Sequence, residues 1–176
     1  MRTLKKLLDK SLETGLWIAM LAMTLTVIWQ VFTRFVLRDP SSWTEELAIF
    51  LLIWIGLLGS AVALHRGAHL GIDIVVARMS ERWARLTAIF VFCCVIFFAM
   101  SVFFFGGIKM VAVVLMTNQI SPALGIRMGY VYLALPISGF FITMYAVEFI
   151  IDEIKLLSGR TVERMPETGR MDVPIE

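Results

Sequence analysis

Charge is scarce in this sequence. Of its 176 residues only 17% are Asp, Glu, Lys or Arg, against 59% hydrophobic, and the mean hydropathy is +0.84. A water-soluble domain of this length spreads charge through every segment to cover its surface, so that class is excluded. No acidic residue stands at the centre of an apolar stretch, which removes the intramembrane proton or cation site that a small antiporter working alone would need. Cysteine is limited to the adjacent pair Cys93 and Cys94 inside an apolar run; that spacing makes neither a disulfide framework nor a metal knuckle, and both read as small hydrophobes. The two histidines, His65 and His69, fall in one connection, whereas a haem anchor needs axial ligands at one height on facing helices. A net charge of +2, with no basic run interleaved with aromatics, sets nucleic acid aside. No internal repeat is evident, which counts against the paired inverted repeats of many autonomous transporters.

What the chain does have is length without charge. A helix crossing the hydrocarbon core needs about 20 apolar residues, and the stretches 15–33, 47–64, 86–108 and 128–147 qualify or come close. The expectation is an all-α integral membrane protein of four transmembrane helices, with spans of about 12–37, 44–65, 84–108 and 128–151 in a single domain 1–155, followed by a mobile cytoplasmic tail over 156–176 carrying Pro166 and Pro174. The basic start is read as part of a retained span and not as a signal peptide. Asp9 and Glu13 intrude, and Trp29, Gln30, Phe32 and Arg34 stand where small residues would mark cleavage.

Lys and Arg divide twelve against four between the two sets of connections: the N-terminus, the middle loop and the tail hold most, while Arg34, Arg38, Lys109 and Arg127 make up the rest. This predicts both termini in the cytoplasm of a multi-pass protein. Trp17, Trp29, Trp43, Trp83, Tyr130, Tyr132 and Tyr145 lie near predicted span ends, where amphipathic rings favour the interface. The middle connection mixes Leu70, Ile72, Ile74 and Val75 with its charges, a pattern that suits an amphipathic helix in the headgroup layer, although Gly67 and Gly71 weaken its start and leave a solvated loop as the alternative. The third apolar region runs past Gly106 and Gly107 to about Asn118, too long for an upright helix, so a tilted or broken one is expected. Ser121, Pro122 and Gly125 mark a turn, and Pro136 is placed to kink the fourth span.

The sharpest local constellation is Arg34, Arg38, Trp43, Glu45 and Glu46: two cations closing one span and two carboxylates opening the next. It reads either as helix capping, with Ser42 or Thr44 as the cap, or as an ion-pair cluster locking the hairpin or a partner subunit. No nucleophile or histidine accompanies these carboxylates on that side, so acid–base catalysis is not expected. Gly56, Gly59, Ser60 and Ala63 recur at helical spacing and make a smooth face for close helix packing, within the bundle or toward another protein. Trp54 lies mid-span, too deep for an aromatic belt. His65, His69 and Asp73 are spaced by four, yet no fourth ligand accompanies them, and pairing of His69 and Asp73 with neighbours such as Arg66 is the simpler reading. Lys109 and Glu148 stand at span ends, where their stems reach the interface.

Taken together, these residues resemble the small membrane subunit of tripartite ATP-independent periplasmic (TRAP) transporters, the DctQ-like family. The likeness runs through Trp29, Gln30, Val31, Phe32, Arg34 and Phe35, then Trp43, Glu45 and Glu46, then Trp54, Gly56 and Ala61. It continues with Arg66, His69, Ile72 and Asp73, and returns with Ser121, Pro122, Ala123, Leu124 and Gly125 and with Tyr132, Leu135 and Pro136. It covers roughly 17–148; the first dozen residues and the tail after Lys155 carry nothing that matches. The resemblance implies a bacterial inner-membrane accessory subunit, without catalytic residues or cofactor, that braces a large membrane subunit. That obligate partner would move an organic acid such as a dicarboxylate or sialic acid by a sodium-driven, elevator-like mechanism, and a periplasmic binding protein would deliver the substrate in transient contact. On this reading Arg34, Arg38, Trp43, Glu45, Glu46, Trp54, Gly56, Gly59 and Ser60 face partners, and His69 and Asp73 order the cytoplasmic loop. The competing class is an autonomous small transporter or channel formed by self-association.

Overall fold

The computed structural model describes residues 2–39, 41–66 and 81–157. The expected interfacial helix, with His69 and Asp73, and the tail from 158 onward lie outside the described residues.

Among the described residues there are six α-helices and two π-helical segments: α1 (Arg2–Phe32) running into π1 (Thr33–Leu37), α2 (Ser42–His65), α3 (Glu81–Phe98), π2 (Ala99–Gly106), α4 (Gly107–Met116), α5 (Met128–Tyr132) and α6 (Ala134–Leu157). Four stretches are long and apolar enough to cross a membrane: Leu8–Leu37, Ser42–His65, Arg85–Met116 and Met128–Lys155. In lipid every backbone polar group must be satisfied within the protein, which is why unbroken apolar runs become helices. Side-chain hydroxyls follow the same rule by bonding back to their own helix: Thr26 donates to Ala22 O at 2.8 Å, Ser138 to Leu135 O at 2.9 Å and Thr143 to Gly139 O at 2.8 Å.

Helix α2 packs against α1 on one side and α6 on the other, while α6 also covers α3 and π2; α2 and α3 do not pack on each other. The core sits around α6, where Ile142, Tyr145 and Ala146 meet Ala61 and Leu64 of α2 and Phe92 and Ala99 of the third span. The Phe92 and Phe149 rings stack 5.1 Å apart and nearly parallel. Because lipid tails are as apolar as these side chains, the gain here is close packing and dispersion rather than escape from water.

Two glycines set how closely the third span and α6 approach. A Cβ on Gly139 would stand 2.8 Å from Phe103 Cβ and 2.9 Å from the Phe104 backbone nitrogen, and one on Gly107 would stand 2.9 Å from both Leu135 Cβ and Pro136 Cδ. The third span is not broken. Its 32 residues from Arg85 to Met116 amount to roughly 48 Å at the helical rise, and π2 absorbs a local change of register where α6 presses on it. The fourth span, in contrast, is interrupted at Leu133, between α5 and α6. Pro136 has no N–H to offer the Tyr132 carbonyl, and the ladder resumes with Ile137 N–H bonding Leu133 O at 3.3 Å.

The chain leaves π1 through Arg38 in the left-handed region (φ 53°), whose N–H, like that of Asp39 at 3.2 Å, returns to Thr33 O. Helix α4 ends similarly at Asn118 (φ 50°), one of the few side chains that tolerates this conformation. The connection from Thr117 to Arg127 then folds on itself. Ser121 N–H bonds Ile126 O at 2.9 Å, Met128 N–H bonds Gln119 O at 2.9 Å, and Gly125 supplies the positive φ (65°) that the turn requires.

Candidate partner interface and its polar anchors

At the end of the bundle where α2 begins, the two neighbouring carboxylates have different fates. Glu45 is exposed. Glu46, one residue further around the helix, faces the 117–127 connection and collects three donors: the Ser121 hydroxyl, Ala123 N–H at 3.0 Å and Leu124 N–H at 3.0 Å. The Ser121 oxygen also accepts Leu124 N–H at 3.2 Å, and the Ser121 side chain is buried. One carboxylate thereby satisfies two backbone amides of a turn whose own hydrogen bonds serve Ser121, Gly125 and Met128. Among the described residues no ion pair links Arg34 or Arg38 to Glu45 or Glu46; the cations stay exposed, and Glu46 is tied to the turn. Neither Ser42 nor Thr44 caps α2. The N-cap is Ser41, whose Oγ meets the buried Thr44 hydroxyl at 2.7 Å, and Thr44 also donates to Ser41 O at 2.7 Å.

The opposite end carries a second set of anchors. Tyr145 of α6, predicted to be an interfacial aromatic, is instead 1% exposed; its ring lies 4.6 Å from that of His65, and its hydroxyl donates to Asp9 Oδ1 at 2.6 Å. His65 Nε2 stands 3.7 Å from the other Asp9 oxygen. Arg66 donates to Glu13 from Nη2 at 2.8 Å and from Nε at 3.2 Å, so its partner is on α1. Arg85 and Glu153 approach to 3.8 Å between α3 and α6. None of these pairings was legible in the sequence, because each joins residues more than fifty positions apart. Asp9 and Glu13, on one face of α1 at i, i+4 spacing, were the available signal.

Between the two ends lies the smooth face of α2. Gly56, Ser60 and Ala63 are exposed and Gly59 and Trp54 half-buried, while Ala61 and Leu64 on the other side of the helix are buried. A Cβ placed on Gly56 or Gly59 would meet nothing within 4 Å. At Gly56 and Gly59 the small-residue stripe is therefore directed away from the other described helices of this chain. Beside it, Ser60 and Leu64 on one wall and Phe90, Cys94 and Phe98 on the other border an open apolar groove of about 490 Å³ floored by Ile142. Trp43, Arg34 and Arg38 are exposed at the Glu46 end of α2, away from this groove. Among the described residues there is no group of three or more His, Cys, Asp or Glu side chains that could hold a metal ion.

The family model described as the DctQ component of tripartite ATP-independent periplasmic transporters matches residues 23–156. The chain is 29% identical over 160 residues to the sialic acid TRAP transporter small permease protein SiaQ of Vibrio cholerae, covering 90% of each protein. It is 30% identical over 138 residues to the isethionate TRAP transporter permease protein DctMQ of Oleidesulfovibrio alaskensis, covering 74% of this chain and 22% of that longer protein. It is also 31% identical over 77 residues to the C4-dicarboxylate TRAP transporter small permease protein DctQ of Vibrio cholerae, covering 43% of this chain and 33% of that protein. The chain belongs to the DctQ component family of TRAP transporters, whose members named here are transporter subunits and not enzymes.

Proposed function

We propose that this member of the family is the small accessory subunit that braces a large membrane subunit in a sodium-driven secondary transporter for an organic acid, fed by a periplasmic binding protein. The observation that carries the reading is the outward face of α2: Gly56 and Gly59 have open space where a side chain would be, on a helix that already packs against α1 and α6. Small residues held open in lipid suit a helix from another chain. A relative of which this chain covers 22% supports a larger membrane partner, since there the corresponding segment is one part of a longer permease protein. Names that specify sialic acid, isethionate and a C4-dicarboxylate support an organic anion as substrate. The lysine and arginine asymmetry supports a bacterial inner-membrane protein with both termini cytoplasmic.

In this arrangement residues 1–155 form one four-span membrane domain and 156–176 a cytoplasmic tail. Arg34, Arg38, Trp43 and Glu45 sit on the periplasmic rim within reach of the binding protein. Trp54, Gly56, Gly59 and Ser60 take the large subunit, and Glu46 holds the rim in shape through the 117–127 turn. His69 and Asp73 order the cytoplasmic connection. The test is purification of the tagged chain from its native membrane in mild detergent, with mass spectrometry of what accompanies it. A stoichiometric, much larger polytopic protein is expected with the wild-type chain, and Gly56→Leu is expected to lose most of it. Recovery of the chain only as a homo-oligomer would favour the self-assembling transporter instead.

A further inference from the structure

Lys109 was expected at the end of a span. The structure places it seven residues inside the helix, because α4 continues to Met116. The buried face of α4 is Gly107, Val111 and Val114, on a helix that packs against α5 and the start of α6; Lys109 lies on the opposite side and is exposed among Phe105, Val113 and Met116. Among the described residues it has neither an ion pair nor a hydrogen bond.

The two sets of anchors give the depth of this cation. Glu46 is bound to the 117–127 turn and His65 lies beside Asp9, so together they mark the polar ends of α2. The 19 steps between them correspond to roughly 28 Å, close to the thickness of a hydrocarbon core. Measured from Met116, Lys109 is then roughly 10 Å inside the Glu46 end. Its four-methylene stem spans roughly 6 Å, which leaves the ammonium short of the headgroups on a face that is otherwise apolar. A charge at that depth is retained where a counter-charge meets it.

Resting on the accessory-subunit reading above, we propose that the Phe105, Lys109, Val113 and Met116 face of the third span docks against a transmembrane helix of the large subunit, and that Lys109 pairs there with a carboxylate of that helix. This face is distinct from the α2 stripe. The two lie on different helices that α6 separates, so the small subunit grips its partner on more than one side.

The test uses native membranes holding the tagged chain, treated with the membrane-soluble reagent dicyclohexylcarbodiimide, which joins an amine to a carboxylate with loss of water. The expected product links Lys109 to an Asp or Glu within an apolar segment of the larger copurifying protein. Lys109→Met should lower recovery of that protein roughly tenfold or more and Lys109→Arg should retain most of it. Both variants should leave the thermal stability of the separately purified chain unchanged, because Lys109 has no partner among the described residues. Equal recovery with Lys109→Met, together with labelling of Lys109 by a water-soluble amine reagent in the intact complex, would overturn the proposal in favour of a snorkelling cation at the lipid headgroups. Absence of any large partner with the wild-type chain would instead overturn the accessory-subunit reading, and this inference with it.

Discussion

The two helical hairpins of this protein solve the problem of packing in lipid in opposite ways. In the C-terminal one, π2 and α4 lie so close to α6 that Gly107 and Gly139 have no room for a Cβ, and the core is concentrated there. In the N-terminal one, α1 packs along α2 alone, Trp17, Ile18, Leu21, Leu25 and Ile28 are exposed, and the glycines of α2 face open space. The first hairpin is internally complete. The second is fastened to it along α2, where Ala61 and Leu64 join the core against α6, and at its ends through Glu46 to the 117–127 turn and through Asp9 to Tyr145. The same residue type thus has two meanings: a glycine against backbone is part of the fold, and a glycine against open space is the surface on which, in the complex proposed above, another chain packs.

The largest effect that would sharpen this contrast is expected at Gly139. Gly139→Val sets a branched side chain against Phe103 Cβ, the Phe104 nitrogen and, at 3.2 Å, the Ala99 carbonyl; backbone cannot rotate aside, so a loss of about 3 kcal/mol is expected. Thermal unfolding of the detergent-solubilised chain would read it. The same assay on Gly56→Leu should show almost no change in the isolated chain, since the defect would appear only when a partner is present. If both variants destabilise the isolated chain equally, the two hairpins are not different in the way described.

Next in size is Glu46→Ala, which leaves the Ser121 hydroxyl and the amides of Ala123 and Leu124 without their acceptor. Hydrogen exchange at those two amides is expected to rise on the order of a hundredfold, with α6 protected as before. Glu45→Ala should change neither, because Glu45 is exposed and holds nothing in the turn. The smallest effect is expected for Tyr145→Phe. It removes the single hydroxyl bond to Asp9 and keeps the ring, and so should cost about 1 kcal/mol. Faster exchange confined to the Asp9 end of α1 would show that the tie holds that helix; an unchanged α1 would mean that its packing along α2 suffices.

The four spans were legible because hydrophobic runs of that length have few other solutions in a chain so poor in charge. The helix ends were less so. The apolar run to about Asn118 was legible, but not whether it made one helix: its length suggested a tilted or broken span ending near Ile108, whereas the helix continues past Lys109 to Met116 and stops where Asn118 turns into the closed connection. Glu46 was singled out in the sequence together with Arg34 and Arg38, since neighbours in sequence are the partners that sequence suggests. Its actual donors lie more than seventy residues away.

Composition and periodicity alone determined that this protein is an all-α membrane protein, where its apolar stretches fall, and that α2 carries one face of small residues. Only the tertiary structure decided which way that face points, which carboxylate binds the turn, that Tyr145 is buried against Asp9, and that Lys109 stands within a span with no partner among the described residues. The physical reason is that helix formation in lipid depends on the hydrogen bonds of each segment with itself, which local sequence governs. Facing, pairing and depth depend on which segments lie side by side, and that is settled by close packing at a few small residues far apart in the chain.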